Sequence, residues 1–193
     1  MMHVTIVASP AEPAVFETVW PDELACARAA NAWAETLRGV LAQGASVVIQ
    51  LHGTLGAGKT TFTRHLLRAM GVQGRIKSPS YAVVEPHETP VGTVHHFDFY
   101  RFNDPAEWED AGFRDVFAAP GLKLVEWPEK AAGMLPMADV DLTLTPDGAT
   151  SGAGVPGTGD AAGDEWRQVR LMARSATGLA MLQAWQDKEV SHV

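Results

Sequence analysis

The segment GTLGAGKTT, residues 53–61, constrains this chain more than any other stretch. It satisfies G-x-x-x-x-G-K-[ST] through Gly53, Gly58, Lys59 and Thr60. Glycines are needed because the backbone must curl until successive amides point at one anion, in dihedrals that other residues avoid. The context agrees with the pattern. Residues 47–51 form a short apolar run that suits a strand buried on both faces. Residues 59–70 read as a helix, with Gly71 placed to cap its C-terminus. Such a helix adds its free N-terminal amides and partial positive charge to the loop. Lys59 would bridge the β- and γ-phosphates of a nucleoside triphosphate, and the Thr60 hydroxyl would ligate Mg²⁺.

A phosphate-loop Mg²⁺ usually also needs a carboxylate at the end of a neighbouring strand. Glu126 follows Leu124 and Val125 at the C-terminal end of the buried run over 121–127, where α/β ligand sites form. Asp98 stands in HHFDFYR between Phe97 and Phe99, so on a strand it projects away from both rings. Either could hold metal or orient water. His95 and His96 are adjacent, so on a strand they face opposite sides and do not share a site. Trp127 reads as core or as a pocket wall.

The rest of the chain alternates helices with strands, the signature of an α/β fold. Residues 22–41 carry apolar positions at three- and four-residue steps. Residues 78–85 read as a loop running into an extended segment, and 94–102 as a strand. Asp104-Pro105, with Glu107, opens a third helix. Residues 139–145 and 167–173 alternate like an antiparallel pair, and 175–188 read as a closing helix. The fold expected is a three-layer P-loop NTPase with a mostly parallel central sheet and an antiparallel C-terminal hairpin. It forms a single domain over residues 1–193 with a disordered insertion at 147–165. That insertion holds six of the 18 glycines and no Lys or Arg, and it has too little apolar surface to offset its ordering entropy.

Charge and cysteine content remove other classes. With 15 Lys and Arg against 23 Asp and Glu, the net charge is −8, which disfavours binding nucleic acid mainly through phosphates. Half of that charge belongs to Asp147, Asp160, Asp164 and Glu165 in the insertion, so the remaining body is only mildly acidic. One cysteine, Cys26, excludes an intrachain disulfide and a multi-cysteine zinc site. No signal peptide or membrane span is legible, so cytoplasmic residence and no membrane partner are expected. No Asn-Lys-x-Asp guanine-reading motif occurs.

Together, GTLGAGKTTFTRHLL, KSPSYAVVEPH, HHFDFYR and LVEWPEK, in that order, resemble the TsaE (YjeE) family of bacterial P-loop ATPases. The resemblance implies a role in forming threonylcarbamoyladenosine in tRNA, with ATP and Mg²⁺ as cofactors and TsaD and TsaB as protein partners. The tRNA would be handled by that complex, which ATP hydrolysis would reset between turnovers. It also implies that Gly56, Ala57, Gly58, Lys59, Thr60 and Thr61 hold the phosphates, and that Thr60 with Glu126 holds Mg²⁺. Ser78-Pro79-Ser80 resembles a loop responding to the γ-phosphate, Asp98 an acidic residue near the metal or water, and Trp127 a neighbour of the nucleotide. Glu23 and Arg167 correspond to family positions near the nucleotide. Ser80 stands where the family usually has Thr, Thr54 where an acid is common, and Cys26 where Thr is frequent. Two other readings stay open: a small-molecule kinase with Asp98 as base, and a nucleotide-gated scaffold without significant turnover.

Overall fold

Burial on both faces decides the centre of the molecule. Every residue of strand β5 (Gly121–Glu126) is buried, and strand β2 (Ser46–His52) exposes only its first residue. Such strands belong inside a sheet covered on either side. The computed structural model describes residues 14–102, 105–146 and 166–190, and it pairs β2 and β5 in parallel. Five more strands complete the sheet: β1 (Ala14–Trp20), β3 (Val84–Thr89), β4 (Gly92–Asp98), β6 (Val140–Pro146) and β7 (Arg167–Ala173). Their spatial order is β1-β7-β6-β2-β5-β4-β3. The central run β6-β2-β5-β4 is parallel. Antiparallel pairing occurs between β6 and β7, β7 and β1, and β3 and β4. The expected α/β class and C-terminal hairpin agree with this sheet.

Alternation along the strands feeds two cores. On one face Val47, Ile49, Leu51, Leu122 and Leu124 meet α1 (Glu23–Leu41), α2 (Lys59–Ala69) and α5 (Ala176–Val190). Helix α1 starts where the Asp22 carboxylate accepts from the Ala25 amide at 2.6 Å, a side-chain N-cap. Phe62 of α2 stacks on Trp20 and meets Trp33 edge-on, tying β1, α1 and α2 together. On the other face Val48, Phe97, Phe99 and Val125 pack under α3 (Pro105–Asp110) and α4 (Phe113–Ala118) through Trp108, Phe113 and Phe117. These are the three expected layers. Among the described residues no helix is long and apolar enough to cross a membrane.

Several boundaries differ from the sequence reading. Strand β4 stops at Asp98 rather than reaching Phe102, because the Tyr100 amide turns back to Asp98 Oδ1 and the Phe102 amide to the Phe99 carbonyl. Segment 78–85 reaches its strand only at Val84, which then forms a hairpin with β4. Strand β1 and helix α4 have no counterpart in the sequence reading. Asp104 and the 147–165 insertion lie outside the described residues.

Candidate functional site

The loops after β2, β4 and β5 leave the parallel strands at one edge of the sheet, the carboxyl-end position where α/β ligand sites form. After β2 the chain turns at Gly53 (φ 135°), Gly56 (φ 78°) and Gly58 (φ 107°). A Cβ on Gly53 would collide with the Leu144 carbonyl of β6, so the loop is pressed against the sheet there. Gly58 is the N-cap of α2 and offers no side chain to its first amides. Those amides keep their hydrogen-bonding capacity for an anion.

Lys59 curls back over this loop. Its Nζ donates to the Gly53 carbonyl at 2.6 Å and to the Thr54 carbonyl at 2.9 Å, and it lies 3.7 Å from the Trp127 ring centroid. Burial pushes its pKa down, while Glu126, Glu129 and Asp98 oppose that shift. Trp127 reaches this place through a left-handed turn (φ 58°) directly after β5. Bulky residues rarely adopt this conformation, and it costs on the order of 1–3 kcal/mol. The turn sets the indole beside Lys59 and Tyr100.

The two carboxylates come from neighbouring strand ends, with Asp98 opposite Glu126 in the β4–β5 register. Glu126 is 1% exposed. Its Oε2 accepts from the Thr60 hydroxyl at 2.8 Å, and its Oε1 lies 2.8 Å from His96 Nε2. Asp98, also buried, accepts from the Ser78 hydroxyl and, at 2.8 Å, from the Tyr100 amide. Val83 adds a second left-handed, non-glycine residue (φ 65°). Its carbonyl accepts from the Asp98 amide at 2.9 Å and its amide donates to Pro79 at 2.7 Å, which ties the Ser78–Ser80 loop to the end of β4.

One cavity of about 330 Å³ collects most of the residues expected from sequence. Gly56, Ala57, Gly58, Lys59, Thr60, Thr61, Ser80, Asp98, Glu126 and Trp127 all line it. Gly53 lies outside the lining, at the base of the loop. Arg167 also stands outside it and donates from Nε to the Ala57 carbonyl at 3.1 Å, bracing the loop from behind. Glu23 is directed elsewhere: its side chain is 68% exposed and pairs with His65 Nε2 at 2.9 Å. Cys26 sits close enough to Glu23 and Arg167 to feel both charges. Burial first, and Glu23 second, push its thiol up to about 12, against the pull of Arg167.

Sequence reasoning missed His96, Tyr100, Arg101 and Leu55 as members of this region. For His96 a usable signal existed, since a residue two before Asp98 on a strand shares its face. His95 does face the other way, its ring near Phe97. The oxygen-only pair of Thr60 and Glu126 suits Mg²⁺, a hard cation that takes oxygen ligands, and the Lys59 ammonium with the loop amides suits phosphate.

Residues 24–152 match the family described as threonylcarbamoyl adenosine biosynthesis protein TsaE. The tRNA threonylcarbamoyladenosine biosynthesis protein TsaE of Haemophilus influenzae is 43% identical over 120 residues, covering 62% of this chain and 75% of that protein. The protein of the same name from Bacillus subtilis is 34% identical over 97 residues, or 50% of this chain and 60% of its own. In fold, the chain is similar to the crystal structure of Bacillus subtilis YdiB, with a TM-score of 0.62 at 20% identity over 92% of this chain and 97% of that one. The matched span takes in the glycine loop, both carboxylates and the Trp127 turn, while Glu23 falls just before it and Arg167 well beyond its end. The chain belongs to the TsaE family of threonylcarbamoyladenosine biosynthesis proteins.

Proposed function

We propose that the chain binds ATP with Mg²⁺ in the 330 Å³ cavity and hydrolyses it, as the nucleotide-driven subunit of tRNA threonylcarbamoyladenosine formation. The observation that carries this reading is the Thr60–Glu126 hydrogen bond beside a glycine loop over which the Lys59 ammonium is folded. Thr60 and Glu126 would hold the metal, which when bound neutralises charge developing on the phosphates. The amides of Gly56 to Thr61 receive phosphate oxygens, and Lys59 exchanges its two carbonyl partners for them. Glu126 or Asp98 orients the attacking water. Phosphoryl transfer requires little covalent help, so positioning and electrostatics suffice.

Asp98 spends both oxygens on Ser78 and Tyr100. Each oxygen keeps a further lone pair, so Asp98 can still orient a water, and acceptor-dependent ADP release by the purified chain is the result that would favour the kinase reading. The TsaD and TsaB subunits are the proposed partners, with tRNA reached through their complex in the cytoplasm. Family membership supports the role in threonylcarbamoyladenosine biosynthesis.

The test is an ATPase assay of the chain alone and with TsaD–TsaB, with and without tRNA. Low basal hydrolysis that rises with the partners is expected. A complex that never turns over ATP would favour the scaffold reading. Lys59→Ala should abolish nucleotide binding, and tight ATP binding by that variant would defeat the proposed site.

A further inference from the structure

Glu126 is aimed by two hydrogen bonds, and one comes from a residue that the phosphate-loop pattern does not contain. His96 lies two residues before Asp98 on β4 and shares its sheet face. The register sets His96 beside Leu124 and Asp98 beside Glu126. The His96 imidazole is fully buried, and its Nε2 lies 2.8 Å from Glu126 Oε1. The other carboxylate oxygen takes the Thr60 hydroxyl at 2.8 Å. A glutamate's terminal torsion is broad when nothing restrains it. Here a bond at each oxygen defines the carboxylate plane.

Burying a polar ring is unfavourable unless its nitrogens are paired. Val94, two residues earlier on the same strand face, is equally buried and apolar, so packing alone does not call for an imidazole at this layer. His96 makes one polar contact, to Glu126, and its Nδ1 has no partner among the described residues. An ionised carboxylate only accepts. The contact with Glu126 therefore places an N–H on Nε2.

We infer that His96 is the positioning residue of the Glu126 carboxylate, holding it in the orientation that receives Mg²⁺ together with Thr60. This inference rests on the nucleotide reading above and deepens it. His96 acts through Glu126 and touches neither nucleotide nor the reacting atoms. Losing its N–H leaves the phosphate loop intact but frees the carboxylate. Outer partners of metal ligands typically govern affinity by 10–100-fold.

Calorimetric titration with a non-hydrolysable ATP analogue, in EDTA and across a Mg²⁺ series, tests this on the full chain. In His96→Leu the Mg²⁺ concentration for half-maximal tightening should rise by about tenfold or more, with binding in EDTA unchanged. His96→Gln, which keeps an N–H near the same point, should recover most of the loss. Wild-type Mg²⁺ dependence in a folded His96→Leu protein would overturn the inference, as would a His96→Gln protein no better than His96→Leu. Imidazole nitrogen spectra of the unmutated protein provide a readout that needs no variant. They should report an N–H on Nε2, and a ring protonated on Nδ1 alone would overturn the assignment. If the unmutated chain shows no Mg²⁺-dependent nucleotide binding at all, the nucleotide reading falls and the role of His96 falls with it.

Discussion

Asp98 and Glu126 stand opposite each other in the β4–β5 pair, yet only Glu126 reaches the Thr60 hydroxyl. Asp98 instead binds the Ser78 hydroxyl and the Tyr100 amide. Two carboxylates of equal rank in the sequence thereby take different places. Glu126 joins the start of α2, while Asp98 anchors the Ser78–Ser80 loop.

The Thr60–Glu126 contact makes the two residues one unit. Thr60→Ala and Glu126→Ala should each weaken Mg²⁺-dependent ATP binding by tenfold or more, about the worth of a charge-assisted hydrogen bond. The double variant should be little worse than the poorer single one, a coupling of about 1.5–3 kcal/mol. Additive losses in a double-mutant cycle would mean that the residues act separately.

Gly53 joins β2 to the loop at φ 135° with no room for a Cβ beside the Leu144 carbonyl. Gly53→Ala should therefore destabilise the fold by about 1–3 kcal/mol from backbone strain, and by more if β6 must shift. Urea unfolding of both proteins measures it. A midpoint equal to that of the unmutated chain would contradict the close approach.

Cys26 should be chemically silent in the folded protein. With its thiol at about 12, the thiolate fraction at pH 8 is on the order of 10⁻⁴, and the thiolate is the reactive form. Iodoacetamide at pH 8 should label it only after unfolding, and rapid labelling under native conditions would refute this.

Lys123 supplies a pH dependence. It is fully buried on β5, its ammonium donates to the Ser46 hydroxyl and the Ala119 carbonyl, and burial lowers its pKa from 10.5. Between that lowered value and 10.5 the unfolded chain binds more protons than the folded one, so stability rises with pH there. Lys59 contributes with the same sign. Lys123→Met should flatten the rise of the urea midpoint from pH 8 to 10.5 relative to the unmutated protein, and an unchanged slope would rule the ammonium out as its source.

Legibility followed the range of the interactions. Helix α1 and strands β2 and β5 could be read because their periodicity and caps are local. Strand β1 could not, since its pairing partner β7 is about 150 residues away in the chain. Strand β3 was obscured by Pro86, which breaks a strand pattern but is tolerated on a sheet edge. The early end of β4 depends on Asp98 accepting from the Tyr100 amide two residues on, a contact that no alternation of residue types announces.

The sequence by itself determined the glycine loop, the two carboxylates and the family, because glycine spacing and short motifs encode what the local backbone can do. Only the tertiary structure decided that Glu126 rather than Asp98 meets Thr60, that Glu23 turns away toward His65, and that His96 stands behind the carboxylate. The reason is geometric. These contacts join β4, β5, α1 and α2 across the sheet, and their distances are set by strand register and helix packing.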